Sequence, residues 1–298
     1  MQLKKYKKKI KIGRILIILL FSSFYSAQKI TIENKNDFPI EVIFLKKQIE
    51  IGSYEKKTIQ EKNEITNIDI IQNKNKDLKI NIPLFLNPQE SLIIENNQNN
   101  IYFKGDKDSL HHYIFKSLVS DLFIQMGNYQ KNYQKNDVNG MLKTSEITLD
   151  NVLKKIAKLN TPPLEKEDYL YKKIEKYTIN FWLFSVLTNV DNENLGNTEK
   201  EIMLYYFNKY IKKEVNDFSC SRYEQYDIMR RYAKHKKELN LFLPKYDIVE
   251  KSEDDSVNQF LSKSCQAFYF KGLYNYLNHR KDPKAEVYEK ILKEKFHN

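Results

Sequence analysis

Glycine is scarce in this chain: seven residues in 298, at positions 13, 52, 105, 127, 140, 196 and 272, each isolated from the others. Phosphate-cradling loops, dinucleotide fingerprints and nucleophile elbows all need clustered glycines, because the backbone there turns tightly or approaches a ligand closely. None of those motifs can be written with this spacing. Cysteine is scarcer still, with Cys220 and Cys265 alone. They form no Cys-x-x-Cys pair, so thiol–disulfide exchange of the thioredoxin kind has no dithiol to run on. The five histidines, His111, His112, His235, His279 and His297, contain neither a His-Glu-x-x-His signature nor a His/Cys cluster of zinc-ligand spacing. His111-His112 reads as a surface pair, and no metal or cofactor is expected. Glu253-Asp254-Asp255 reads as a loop that caps the next helix, since a calcium loop would alternate more oxygen ligands around a glycine turn.

Acidic residues are missing from the first 27 positions, which hold Lys4, Lys5, Lys7, Lys8, Lys9, Lys11 and Arg14, followed by an apolar run from Ile15 to Tyr25. A helix that crosses a bilayer needs roughly 20 apolar residues, about twice this run. The order of basic then apolar residues is that of a secretory signal peptide, residues 1–27, with cleavage after Ala27. A retained, basic anchoring helix competes with this reading, and the bulky Tyr25 favours it. No cysteine follows the apolar run to accept a lipid. The expected product is periplasmic or secreted, with no stable membrane span after cleavage.

Charge then changes meaning. The 50 basic and 39 acidic residues give +11, and removing the seven basic residues of the leader leaves +4. The remaining lysines are interleaved with acids, as in Glu165-Lys166-Glu167, which is the pattern of a solvated helix face. Nucleic acid is therefore not an expected partner.

From Lys29 to Gly105 apolar residues alternate, the period of half-buried strands. Ile30 and Ile32, Val42 and Phe44, Ile49 and Ile51, Ile68 and Ile70, the run Leu78, Ile80, Ile82, Leu84, Leu86, and then Leu92, Ile94, Ile101 and Phe103 give six or seven short strands. Pro83 cannot donate to a ladder, so its strand is expected at an edge or ending there. After Gly105 the period becomes three and four. One long helix is expected from Asp108 through Tyr133, a second around Leu149 to Leu159, a third from Leu164, capped starts at Thr198 and Ser221, and a last one opened by Asp282-Pro283. The predicted class is α+β: a small antiparallel β-sandwich-like domain over 28–105, then an all-helical domain over 106–298 of six or seven helices in an irregular bundle.

Two sets of residues are candidates for chemistry or binding. Cys220 and Cys265 either pair as a disulfide across a loop of about 45 residues or remain a free loop thiol and a small buried hydrophobe. Trp182, Tyr205 and Tyr206, with Phe181, Phe184 and Phe207 near them, either line a ligand groove or belong to a helical core. A further candidate surface is the stretch from Gly105 to Tyr113, where the two halves join.

The segment Ile80-Asn-Ile-Pro-Leu-Phe-Leu-Asn-Pro-Gln-Glu-Ser-Leu-Ile-Ile-Glu95, with Ile101-Tyr-Phe-Lys-Gly105 and Leu110-His-His-Tyr-Ile-Phe115, resembles the N-terminal accessory region of periplasmic thioredoxin-like disulfide reductases of the TlpA type. The likeness covers roughly residues 78 to 118 by pattern. No Cys-x-x-Cys follows it, so no catalytic residue carries over. The resemblance implies an accessory or scaffold-like exported protein. Function is thus expected to be non-enzymatic binding in the cell envelope, to a protein or envelope component. The alternatives are a redox-linked accessory that cycles Cys220 and Cys265, and a hydrolase whose site is assembled from distant residues.

Overall fold

The alternation between 29 and 105 becomes eight strands: β1 Lys29–Asn34, β2 Ile40–Phe44, β3 Lys47–Ile51, β4 Lys56–Gln60, β5 Asn67–Gln72, β6 Lys79–Pro83, β7 Ser91–Asn97 and β8 Asn100–Gly105. The computed structural model describes residues 27–61, 63–72, 79–98, 100–160, 163–166, 168–190 and 194–296. The expected leader before Ala27, the turn at 73–77, Leu78, Thr161-Pro162 and His297 lie outside the described residues.

The strands form two four-stranded sheets, β4-β1-β7-β8 and β3-β2-β5-β6. Side chains alternate across a strand, so Ile30, Ile32, Val42, Ile68, Ile70, Ile82, Leu92, Ile94 and Ile101 point into one shared core and are buried. Two features depart from the sequence reading. The sheets are not wholly antiparallel, because β1 runs parallel to β7, from Lys29 opposite Ser91 to Asn34 opposite Asn96. Strand β4 was also not foreseen: only Ile59 of its five residues is buried, so it carries almost no alternation. It is an edge strand bearing Lys56 and Lys57, residues that discourage edge-to-edge pairing. Strand β6 is an edge too, and Pro83 is its last residue, as a missing donor requires.

Amides hold one end of the sandwich. Asn34 is fully buried, and its Nδ2 donates to the carbonyls of Phe38 (2.8 Å), Gly52 (2.9 Å) and Ile51 (3.3 Å), linking β1 to the other sheet. Its Oδ1 accepts from the Asn36 amide and side chain, while Gln72 Nε2 donates to Asn96 Oδ1 at 3.2 Å.

The helical pattern yields ten α-segments among the described residues: α1 Asp108–Lys116, α2 Leu118–Phe123, α3 Met126–Gln134, α4 Val138–Lys158, α5 Tyr169–Leu187, α6 Asn197–Tyr206, α7 Tyr223–Lys234, α8 Asp255–Asn258, α9 Lys263–His279 and α10 Ala285–Lys295. The single helix expected from Asp108 to Tyr133 starts where foreseen but is broken into α1, α2 and α3. Its apolar period continues through the breaks, which is why the pattern alone could not show them. At the Ser221 start, Gln225 takes the capping role expected of Glu224: its Oε1 accepts from the amides of Ser221 and Arg222. The helix expected to be capped by Thr198 is preceded instead by Gly196, and the Thr198 hydroxyl donates to Asn136.

By contact density the described chain forms two units. One comprises the strands with α1, α2 up to Asp121, and Lys154–Ile174; the other comprises Leu122–Leu153 and the chain from Glu175 onward. Helices α4 and α5 contribute residues to both.

Candidate functional site

Cys220 and Cys265 are joined. Cys220 lies in the coil between the short 3-10 turn Val215–Asp217 and α7, and Cys265 in the first turn of α9, with their Cα atoms 4.8 Å apart. Both are buried, at 6% and 1% exposure. The Cys220 amide donates to Ser264 Oγ at 3.0 Å, and Ser262 Oγ lies 3.2 Å from the Cys265 sulfur. The bridge thus pins the coil ahead of α7 to the start of α9, inside the second unit. Beside it, Phe218, Met229, Tyr246, Phe260, Leu261 and Ser262 line a shallow indentation with no room for a water molecule. A space that cannot admit one water cannot hold a small molecule, so this dimple is a packing seam.

The aromatic candidates separate. Trp182 on α5 and Tyr206 on α6 are fully buried. Trp182 meets Tyr129 edge to face, with centroids 5.9 Å apart, and Tyr206 shares a hydrogen bond of 2.6 Å with Ser145. Burial pushes the Tyr206 phenol up to about 12. These two residues are core, since each lies on the covered face of its own helix. Tyr205 stands partly exposed beside them and donates to Glu146, which Lys209 also holds.

Two arrangements were not legible as sites in the sequence. On the C-terminal side of α7, His235 is 1% exposed, and its Nδ1 lies 3.0 Å from Glu238 Oε1. The Leu195 amide fixes the other carboxylate oxygen at 3.0 Å. The His235 contact, followed by that amide, holds the Glu238 carboxyl below the usual range. A carboxylate-oriented imidazole is the half-site of a general base or a metal ligand. His235 Nε2 has no hydrogen-bond partner among the described residues. It is enclosed, however, and no group of three His, Cys, Asp or Glu side chains placed to hold a metal ion occurs among the described residues. The i, i+3 spacing of His235 and Glu238 was the available signal.

The second arrangement corrects the surface reading of His111-His112. Lys107 adopts a left-handed backbone (φ 56°) ahead of α1, and the His111 Nδ1–H donates to its carbonyl at 2.8 Å. His111 Nε2 accepts from the Phe85 amide, just past β6, at 3.1 Å. His112 Nε2 lies 3.2 Å from both the amide and the carbonyl of Phe103 in β8. Adjacent helical residues point in different directions, so one ring serves the chain leaving one sheet while the next ring covers the edge of the other. Helix α1 thereby closes that side of the sandwich. Leu110, His111, Tyr113 and Ile114 are buried, while Gly105, Asp106 and Ser109 in the same stretch stay exposed.

Comparison with protein-family models and with curated proteins finds no match to this chain.

Proposed function

We propose that this protein is an exported accessory protein of the cell envelope, periplasmic or secreted, that acts by binding a protein or envelope component. The observation that carries the reading is the buried Cys220–Cys265 bridge, since disulfides persist in oxidising compartments and are rare in reducing ones. It agrees with the basic-then-apolar leader. Among the described residues no helix is long and apolar enough to cross a membrane. The likeness of residues 78–118 to the accessory region of TlpA-type reductases points to the same class, one that supports a partner rather than performing exchange itself. A redox-cycling role would need an accessible sulfur for a thiolate to attack, and both sulfurs here are enclosed.

Two measurements test the reading. Thiol titration of the protein recovered from the envelope should find both cysteines oxidised, and recovery of the unprocessed, reduced chain from the cytoplasm would overturn export. Photo-crosslinking in intact cells, with the reactive residue placed at exposed Tyr276 or Phe242, should trap a recurring envelope partner. Repeated absence of any adduct from a panel of exposed positions would overturn the binding role.

A further inference from the structure

The residue that follows the expected cleavage point is built into the fold. Gln28 is 5% exposed. Its Nε2 donates to the Leu86 carbonyl at 2.8 Å, and its Oε1 accepts from the Ile65 amide at 3.0 Å. Both ends of the carboxamide are therefore held by backbone groups from other segments of the sandwich. The next residue, Lys29, opens β1, donates its amide to the Glu90 carbonyl at 3.0 Å, and pairs with Gln60 on one side and Ser91 on the other.

An amino-terminal glutamine is chemically unstable. Its free α-amine attacks its own Cδ, a new C–N bond closes a five-membered lactam, the Cδ–Nε2 bond breaks, and that nitrogen leaves as ammonia with the proton given up by the amine. No oxidant or co-reactant is needed. In this fold the reaction would require Cδ to swing back onto the α-nitrogen, which breaks both hydrogen bonds of the carboxamide. The product would also lack the primary amide that satisfies Leu86.

We propose that Gln28 is a folding-gated modification site: once released as the mature amino terminus, it stays glutamine while β1 is docked and becomes pyroglutamate only when the sandwich opens. This rests on the export reading for the position of the cut, while the clamp itself rests on the hydrogen bonds alone.

The mature chain, released from a fusion so that Gln28 is its first residue, separates the two. Mass spectrometry of its amino-terminal peptide over time should show loss of ammonia slower by about tenfold or more in native buffer than in urea, since two hydrogen bonds must first break. A reference chain that begins one residue earlier, with Ala27→Gln, places the reactive glutamine outside the clamp and should cyclise in native buffer at nearly the urea rate. Equal rates for Gln28 in native buffer and in urea would overturn the proposal. So would protection of the Ala27→Gln chain equal to that of Gln28, because termini would then be protected without the clamp. An exported protein whose first residue is not Gln28 would overturn the assigned cut and with it the physiological role, leaving the rate comparison to decide the clamp.

Discussion

His111 shows how a single buried side chain acquires a function in stability that its neighbours in sequence do not announce. Burial is the main cause that lowers its pKa to about 4, partly offset by the hydrogen bond to the Lys107 carbonyl, with the Lys107 charge lowering it further and Glu90 and Asp108 acting in the opposite direction. An unfolded histidine titrates near 6.5. Above that pH neither state binds the proton, so His111 contributes no slope. As pH falls from about 6.5 to about 4 the unfolded chain is protonated first, and the fold loses about 3 kcal/mol from this residue. Denaturant midpoints measured across that range should fall less steeply for His111→Gln than for the native chain; parallel curves would refute the assignment. Asn34 is the second such residue. Replacing it with alanine removes the donor to one buried and two part-buried carbonyls and the acceptor for Asn36, and should cost about 3 kcal/mol. Urea unfolding of Asn34→Ala measures it, and a loss under about 1 kcal/mol would mean that water takes over the bonds.

At the scale of elements, the bridge between the coil at Cys220 and α9 closes a loop of 45 residues. On chain-entropy grounds that is worth about 4 kcal/mol. The Cys220→Ser, Cys265→Ser double variant should therefore lose about that much in chemical denaturation, while the sandwich strands, which belong to the other unit, keep their circular-dichroism signature. Loss confined to less than about 1 kcal/mol would mean that the coil is already held by Ser264 and the packing seam. Among strands, legibility followed burial. Strands β1, β2, β5 and β7 alternate cleanly because one face of each meets the shared core, and that alternation is visible in the chain. Strand β4 presents one buried residue and was invisible. The break of the first helical pattern into α1, α2 and α3 was equally hidden, since the apolar period continues through the turns and only packing decides where hydrogen bonding stops.

For the whole molecule the testable consequence is one of location. Expressed in a bacterial host with residues 1–27 in place, the chain should, on the export proposal, appear in the periplasmic fraction, shortened by that segment and with both thiols blocked to alkylation until a denaturant and a reductant are added together. Alkylation under mild reduction without denaturant would instead favour the redox-linked reading, because a bridge enclosed at both sulfurs resists small reductants unless the helices around it open. An N-terminal mass still containing Met1 would favour the anchoring-helix reading of the first 27 residues.

Composition and periodicity by themselves determined the α+β class, the order of strands before helices, the approximate point of change at Gly105, and the chemistries that scattered glycines and an unclustered cysteine pair exclude. Those follow from local rules: side-chain period, turn residues and motif spacing are written along the chain. Tertiary structure alone decided that β1 runs parallel to β7, that the two cysteines meet, that Trp182 and Tyr206 are core, that His111 and His112 serve two different sheets, and that Glu238 orients His235. Each of these joins residues through space, by a strand crossover, by burial or by a hydrogen bond whose partner the local pattern does not specify. The buried amides make the same point most sharply, since Asn34 carries the local signature of a turn and only its bonds to Ile51 and Gly52 make it an inter-sheet tie.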